Sequence, residues 1–131
     1  MMPIIAFSAR DLLRGTVVEP AWYRCVINEV TESPSSDKKS INYPVECTII
    51  KNADNGDVKF AEVPITFNFN SKALGFVKGY YMAMGIELLA DQRYDLGNTA
   101  GQIIDIYIEN DIYDNRPVNR VNHKYRPASK E

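Results

Sequence analysis

Histidine occurs once in this 131-residue chain, at position 123, and cysteine twice, at 25 and 47. A nucleophile–base pair would have to be built on that one imidazole with a Cys or Ser, and no nucleophile-elbow glycines, phosphate loop or HExxH accompany it. The cysteines lie in apolar, strand-like segments and form neither a CxxC pair nor a Cys/His cluster. They read as buried thiols, not as metal ligands or a disulfide. Asp105 and Glu109, four apart on a strand, share a face as acid–base chemistry requires, and read as solvated charges. The sequence therefore predicts a protein that is not an enzyme, with no cofactor and no metal. Long apolar runs are also lacking: none approaches the roughly 18 residues that cross a bilayer. Met1 to Phe7 has neither a basic leader nor a cleavage site. The expectation is a cytosolic protein with no membrane contact.

The composition present is that of a globular chain, with 45% hydrophobic and 24% charged residues, far from the regime of disorder. The length suits one domain over residues 1–131, with its core at about 15–127. The net charge of -2 hides an asymmetry. From Arg116 to Lys130 there are five cations (Arg116, Arg120, Lys124, Arg126 and Lys130) and no acid, while the remainder is acidic on balance.

Along the chain, Pro3 to Val18 reads as a short helical turn or an irregular strap. Tyr23, Cys25 and Ile27 alternate with Arg24 and Asn28 in a first strand, Trp22 to Val30, with Trp22 covering one end of the barrel. Thr31 to Asn42, with Pro34, its serines and Lys38-Lys39, reads as a long polar loop. Tyr43, Val45, Cys47 and Ile49 mark a second strand. An Asn-Gly turn leads to a third, Val58 to Phe69, with Ala61, Val63, Ile65, Phe67 and Phe69 on one side and Phe60 on the other. Leu74, Val77, Tyr81 and Met84 recur with helical period between Ser71 as N-cap and Gly85 as stop. Tyr80 and Tyr81 read as core and rim. Ile104, Ile106 and Ile108 mark a fourth strand, Asn110 to Pro117 an exposed loop, and Val118 to Arg126 a fifth strand with Val121, His123 and Tyr125 on one side. Three strands, a helix and two strands is the element order of an all-β, five-stranded OB-fold barrel with its helix between strands three and four. A sandwich would need about seven strands.

The pattern that rises above background is basic and aromatic. Cations following phosphates and rings stacking on bases are what single-stranded nucleic acid requires. The predicted groove is bounded by the Lys38-Lys39 loop and the Tyr113-Arg116 loop. Arg24, Lys38, Lys39, Lys59, Arg116, Arg120 and Lys124 are the candidate phosphate contacts, and Tyr43, Phe60 and Tyr113 the stacking platforms. The alternative is a structural or protein-interaction module whose outward aromatics form an interface. DNA and RNA are not distinguished by these residues.

Glu19-Pro20-Ala21-Trp22-Tyr23 enters strand one, and Phe69-Asn70 leads to a helix ending Ala83-Met84-Gly85. Gly101-Gln102 precedes strand four, and Asn119-Arg120-Val121-Asn122-His123-Lys124-Tyr125 follows. In these features, from about Gly15 to Pro127, the chain resembles the OB-fold single-stranded-DNA-binding proteins of bacteriophages. The resemblance implies a protein that coats single strands with little sequence preference during phage replication, recombination or repair, in the host cytoplasm. Replication or recombination proteins and a homo-oligomer are the implied partners. Many single-strand-binding proteins end in an acidic tail that recruits replication partners, whereas this sequence closes on Arg126-Pro127-Ala128-Ser129-Lys130-Glu131; either recruitment works differently here or the sequence is a shortened one.

Overall fold

The computed structural model describes residues 3–128; Lys130, the last of the five C-terminal cations, lies outside the described residues. The fold is mostly β, with six antiparallel strands in one sheet and few helices. A short helix, α1 (Ala9–Leu13), opens the chain under a capping box in which Ser8 and Asp11 satisfy each other's backbone N–H groups. Strand β1 (Ala21–Val30) is central, pairing with β3 (Ile41–Asn52) on one edge and β5 (Ile103–Tyr113) on the other. The two-residue β2 (Ser33–Pro34) pairs with Asn42 and Ile41 beyond the end of the β1 ladder, so the polar loop expected there contains a bridge. Strand β4 (Pro64–Asn70) takes the far edge of β3, and β6 (Arg116–Pro127) the far edge of β5.

The period-two readings locate the core. Tyr23, Cys25 and Ile27, then Val45, Cys47 and Ile49, then Ile104, Ile106 and Ile108, are all buried on one side of the sheet. Cys25 and Cys47 are free thiols within it. Helix α2 (Gly75–Ala83) buries Val77, Tyr80 and Tyr81 against this layer. It ends where Gly85 takes a φ of 79°, a conformation that glycine adopts without a Cβ clash.

Edge strands β4 and β6 are far apart in sheet order, yet Phe67 lies 5.8 Å from Tyr125 and Phe69 lies 5.3 Å from His123 between ring centroids. The sheet therefore bends until its edges meet through aromatic side chains, with Tyr80 of α2 packed against both. Among the described residues no backbone ladder joins β4 to β6, so the sheet is not closed.

Several boundaries differ from expectation. The third strand begins at Pro64, not Val58, because residues 58–62 form turns ending in Glu62 at a φ of 72°. Residues 110–117 are not a loop. They form a continuous hairpin turning on Asp114 and Asn115, both at positive φ, the backbone of a two-residue primed turn. Ser71 does not cap α2; its hydroxyl accepts the Ile41 N–H, and the cap position is Leu74 with no side-chain bond.

Candidate nucleic-acid interface

Alternation that sends Tyr23 and Ile106 inward sends their strand neighbours to the outer face of β1, β5 and β6. There Trp22 opposes Tyr107 and Arg24 opposes Asp105 in register. Across the other edge of β5, Arg126 opposes Asp105 and Arg120 opposes Glu109. The rings of Trp22 and Tyr107 meet edge to face at 5.5 Å. The Arg126 guanidinium lies 4.4 Å from the centre of the Trp22 ring, and Lys124 Nζ lies 5.3 Å from that of Tyr107. Two aromatic rings thus share one strand-crossing patch with the two cations laid over them.

Each cation of this patch also meets an acid. Lys124 lies 3.7 Å from Glu109, Arg126 bonds Asp54 and, at 3.2 Å, Asp105, and Arg120 bonds Asp111. The hydrogen bond to Asp54 is the largest cause holding the Arg126 pKa above its ordinary value. The Ile112 N–H and then Arg120 hold the Asp111 carboxyl below the usual range. Apart from Asp105, these carboxylates remain solvent-accessible, so the pairs are surface pairs of small individual strength.

No protein-family model matches the sequence, and no curated protein matches it.

The predicted residues fall into three groups. Arg120 and Lys124 lie on the patch, and Arg116 and Tyr113 flank the tip of the β5–β6 hairpin, where Tyr113 is 75% exposed. Lys38 and Lys39 are exposed in the loop after β2. That loop follows the C-terminal end of β1, whereas the hairpin extends past its N-terminal end, Asn110 and Asn119 both bonding Val18. The ten-residue β1 spans about 30 Å at the strand rise, so the two loops stand at opposite ends of the sheet and do not converge on a groove.

Three predicted contacts have other surroundings. Arg24 is buried and its Nε donates to Asp105 at 3.1 Å, which corrects its assignment as an accessible phosphate contact. Tyr43 is on the inner side of β3 and packs against the core, where it cannot serve the outer face. Phe60 sits in the turn before β4, half-buried and edge to face with Tyr23, with Lys59 over its ring and ion-paired to Glu19. Trp22 does not cover a barrel end; it lies on the outer face. His123 is stacked between Phe76 at 4.5 Å and Phe69 at 5.3 Å, and burial pulls its pKa down.

Asp105, read as a solvated charge, is buried between Arg24 and Arg126. The aromatic that sequence reasoning passed over is Tyr107; Arg126, which the basic stripe places on one strand face with Arg120 and Lys124 but which is not among the candidate phosphate contacts, joins it on the patch. Both carry a signal: Tyr107 is the outward residue between Ile106 and Ile108, and Arg126 belongs to the basic run. Among the described residues no group of three or more His, Cys, Asp or Glu side chains could hold a metal ion, and no helix is long and apolar enough to cross a membrane.

Proposed function

We propose that the chain is an OB-type barrel that binds single-stranded DNA without sequence preference along the outer face of β1, β5 and β6. The observation carrying this reading is the Trp22–Tyr107 contact with Arg126 and Lys124 over the rings. Every base has a π-face, so stacking on such rings tolerates any sequence, while guanidinium and ammonium groups beside them meet the phosphates. The strand order β4-β3-β1-β5-β6, with α2 between β4 and β5 in the chain, supports the barrel topology. The strand runs along β5 and β6 toward Tyr113 and Arg116 at the hairpin tip. The outer side of β3 is a poorer path, because Arg10 and Arg14 of the α1 segment lie across it on Glu46. Phosphates replace Glu109 and Asp111 as partners of Lys124 and Arg120, an exchange made possible by the small strength of exposed pairs. The role that follows is coating of single strands during phage DNA replication, recombination or repair.

The test is an anisotropy titration of labelled oligo-dT and an equal-length duplex at two salt concentrations. Trp22, the one tryptophan of the chain, gives a parallel emission signal from within the proposed site. Strand-selective, salt-sensitive binding with a change in that emission supports the reading. Absence of binding to either oligonucleotide at low salt refutes it.

A further inference from the structure

Tyr81 of α2 is 3% exposed, and its hydroxyl has no hydrogen-bond partner among the described residues. A phenol oxygen buried in this state is uncommon, because its lost contact with water goes uncompensated. Burial first, and then Asp95 and the Tyr94 phenol nearby, hold its pKa above the ordinary value, so the group stays protonated and able to donate.

Tyr81 also stands in the wall of two hollows. The larger, of about 600 Å³, opens between the end of β1, α2 and residues 88–97; Tyr81, Tyr94 and Asp95 border both it and a smaller one of about 210 Å³. The larger volume is in the range of small-molecule sites. Tyr43, Val77, Leu88 and Leu96 give it apolar walls, and its charged residues are Glu32 and Asp95; among the described residues no lysine, arginine or histidine borders it. Of the two rings that meet Tyr81, Tyr80 is fully buried and Tyr94 is 40% exposed. Tyr94 belongs to residues 86–95, which form neither helix nor strand, and its own hydroxyl bonds Leu89 within that segment. A shift of the segment therefore carries the Tyr94 ring with it and opens the Tyr81 hydroxyl to the hollow.

We propose that this hollow binds a small organic cation, an amine on an apolar or aromatic body that also carries an oxygen acceptor. The body lies against the apolar walls, the ammonium meets Glu32 and Asp95, and the oxygen accepts the Tyr81 hydroxyl. One oxygen of Asp95 accepts the Gly97 N–H, and a carboxylate has further acceptor sites for the ammonium. The exposed Ile4–Phe7 arm is a poorer occupant. It has no charged side chain to meet the carboxylates, and the helix after it is held elsewhere, by Arg10 on Thr48 and by Arg10 and Arg14 on Glu46.

The site lies apart from the outer-face patch, so it is tested without DNA. Tyramine carries all three features, para-ethylphenol lacks the ammonium, and phenethylamine lacks the oxygen. Each is titrated into the isotope-labelled full chain and followed by NMR. Amides of α2 and of residues 88–97 should shift saturably. Tyramine should bind more tightly than para-ethylphenol, by up to about fivefold for each carboxylate, and about 2- to 10-fold more tightly than phenethylamine. Tyr81→Phe should abolish the second preference and leave phenethylamine binding unchanged, while the free chain melts a few degrees higher because no hydroxyl is left unpaired. Shifts that do not saturate or that lie outside the hollow, equal affinity for tyramine and para-ethylphenol, a tyramine preference that survives Tyr81→Phe, or a lower melting temperature of that variant would overturn the proposal. Phe7→Ser should leave tyramine affinity unchanged; tighter binding in that variant would make the arm the occupant and overturn it as well.

Discussion

Arg24 on β1 and Asp105 on β5 oppose each other in the sheet register, and their side chains meet at 3.1 Å with only 7% and 2% of each residue exposed. Arg126 closes over the pair from β6, reaching the other oxygen of Asp105 at 3.2 Å. Two arginines on two different strands therefore share one buried carboxylate on the strand between them. The triad pins β6, β5 and β1 in register just beneath the Trp22–Tyr107 contact.

Breaking this arrangement from the arginine side leaves Asp105 buried with Arg126 as its remaining cation among the described residues. Truncating one partner of a buried pair typically costs about 3–5 kcal/mol, and Arg126 places Arg24→Met near the lower end. Urea denaturation should show a loss of about 3 kcal/mol. The double variant Arg24→Met, Asp105→Leu should recover most of it, since an apolar pair needs no desolvated charge. Equal stability of the two variants would show that the carboxylate is not the source of the cost.

His123 adopts a φ of 57° in β6 and is packed between Phe69 and Phe76, where burial lowers its pKa below the ordinary value. The folded chain therefore resists a proton that the unfolded chain accepts below about pH 6.5. Stability from this residue is fully present above that pH and is lost as pH falls toward the lower folded pKa. Melting temperature should drop between about pH 7.5 and 5.5. His123→Asn, whose side chain tolerates the same backbone, should melt lower at neutral pH but lose the imidazole's share of that slope. An unchanged slope in the variant would assign the pH dependence to other groups.

These two residues also mark what sequence reading can reach. The inward positions of four strands are legible because each is a local alternation, as is the helix that buries Val77 and Tyr81. The partner of Arg24 lies 81 positions away in the chain, and pairing across strands has no local signature, so an outward arginine that reads as exposed is in fact buried. The hairpin at Asp114–Asn115 reads as a loop because Asn, Asp and Pro cluster there, although its two-residue turn uses the same chemistry that marks the turn at Asn55-Gly56. Tyr107 and Arg126 are visible as an outward aromatic and a cation of the basic run, but only the β1–β5–β6 order places them on one patch with Trp22.

Tyr107→Ala tests the stacking platform with little consequence for the core, since the ring lies on the outer face against Trp22 and Lys124. Each stacked base is worth about 1–3 kcal/mol by alanine substitution, so oligo-dT affinity should fall about 5- to 150-fold with an unchanged circular dichroism spectrum. Phe60→Ala, in the turn beside Tyr23, should affect stability more than binding. The reverse ranking in an anisotropy titration would move the site to the β4 side of the sheet.

The carboxylates paired with Arg120 and Lys124 make a counterintuitive prediction. If phosphates must displace Asp111 and Glu109, these acids compete with DNA and repel its charge, so removing them should strengthen binding. An exposed pair is worth about 0–1 kcal/mol, hence Glu109→Gln and Asp111→Asn should each tighten oligo-dT binding by up to about fivefold. The salt dependence should also steepen, because in the native chain a displaced carboxylate recaptures cations that phosphate neutralisation releases. Lys124→Gln and Arg120→Gln should do the opposite, weakening binding and flattening the slope by about 0.7 for each phosphate that is no longer neutralised. Weaker binding on neutralising Glu109 would mean that the pair positions Lys124 for its phosphate, and insensitivity to all four substitutions would place the DNA elsewhere.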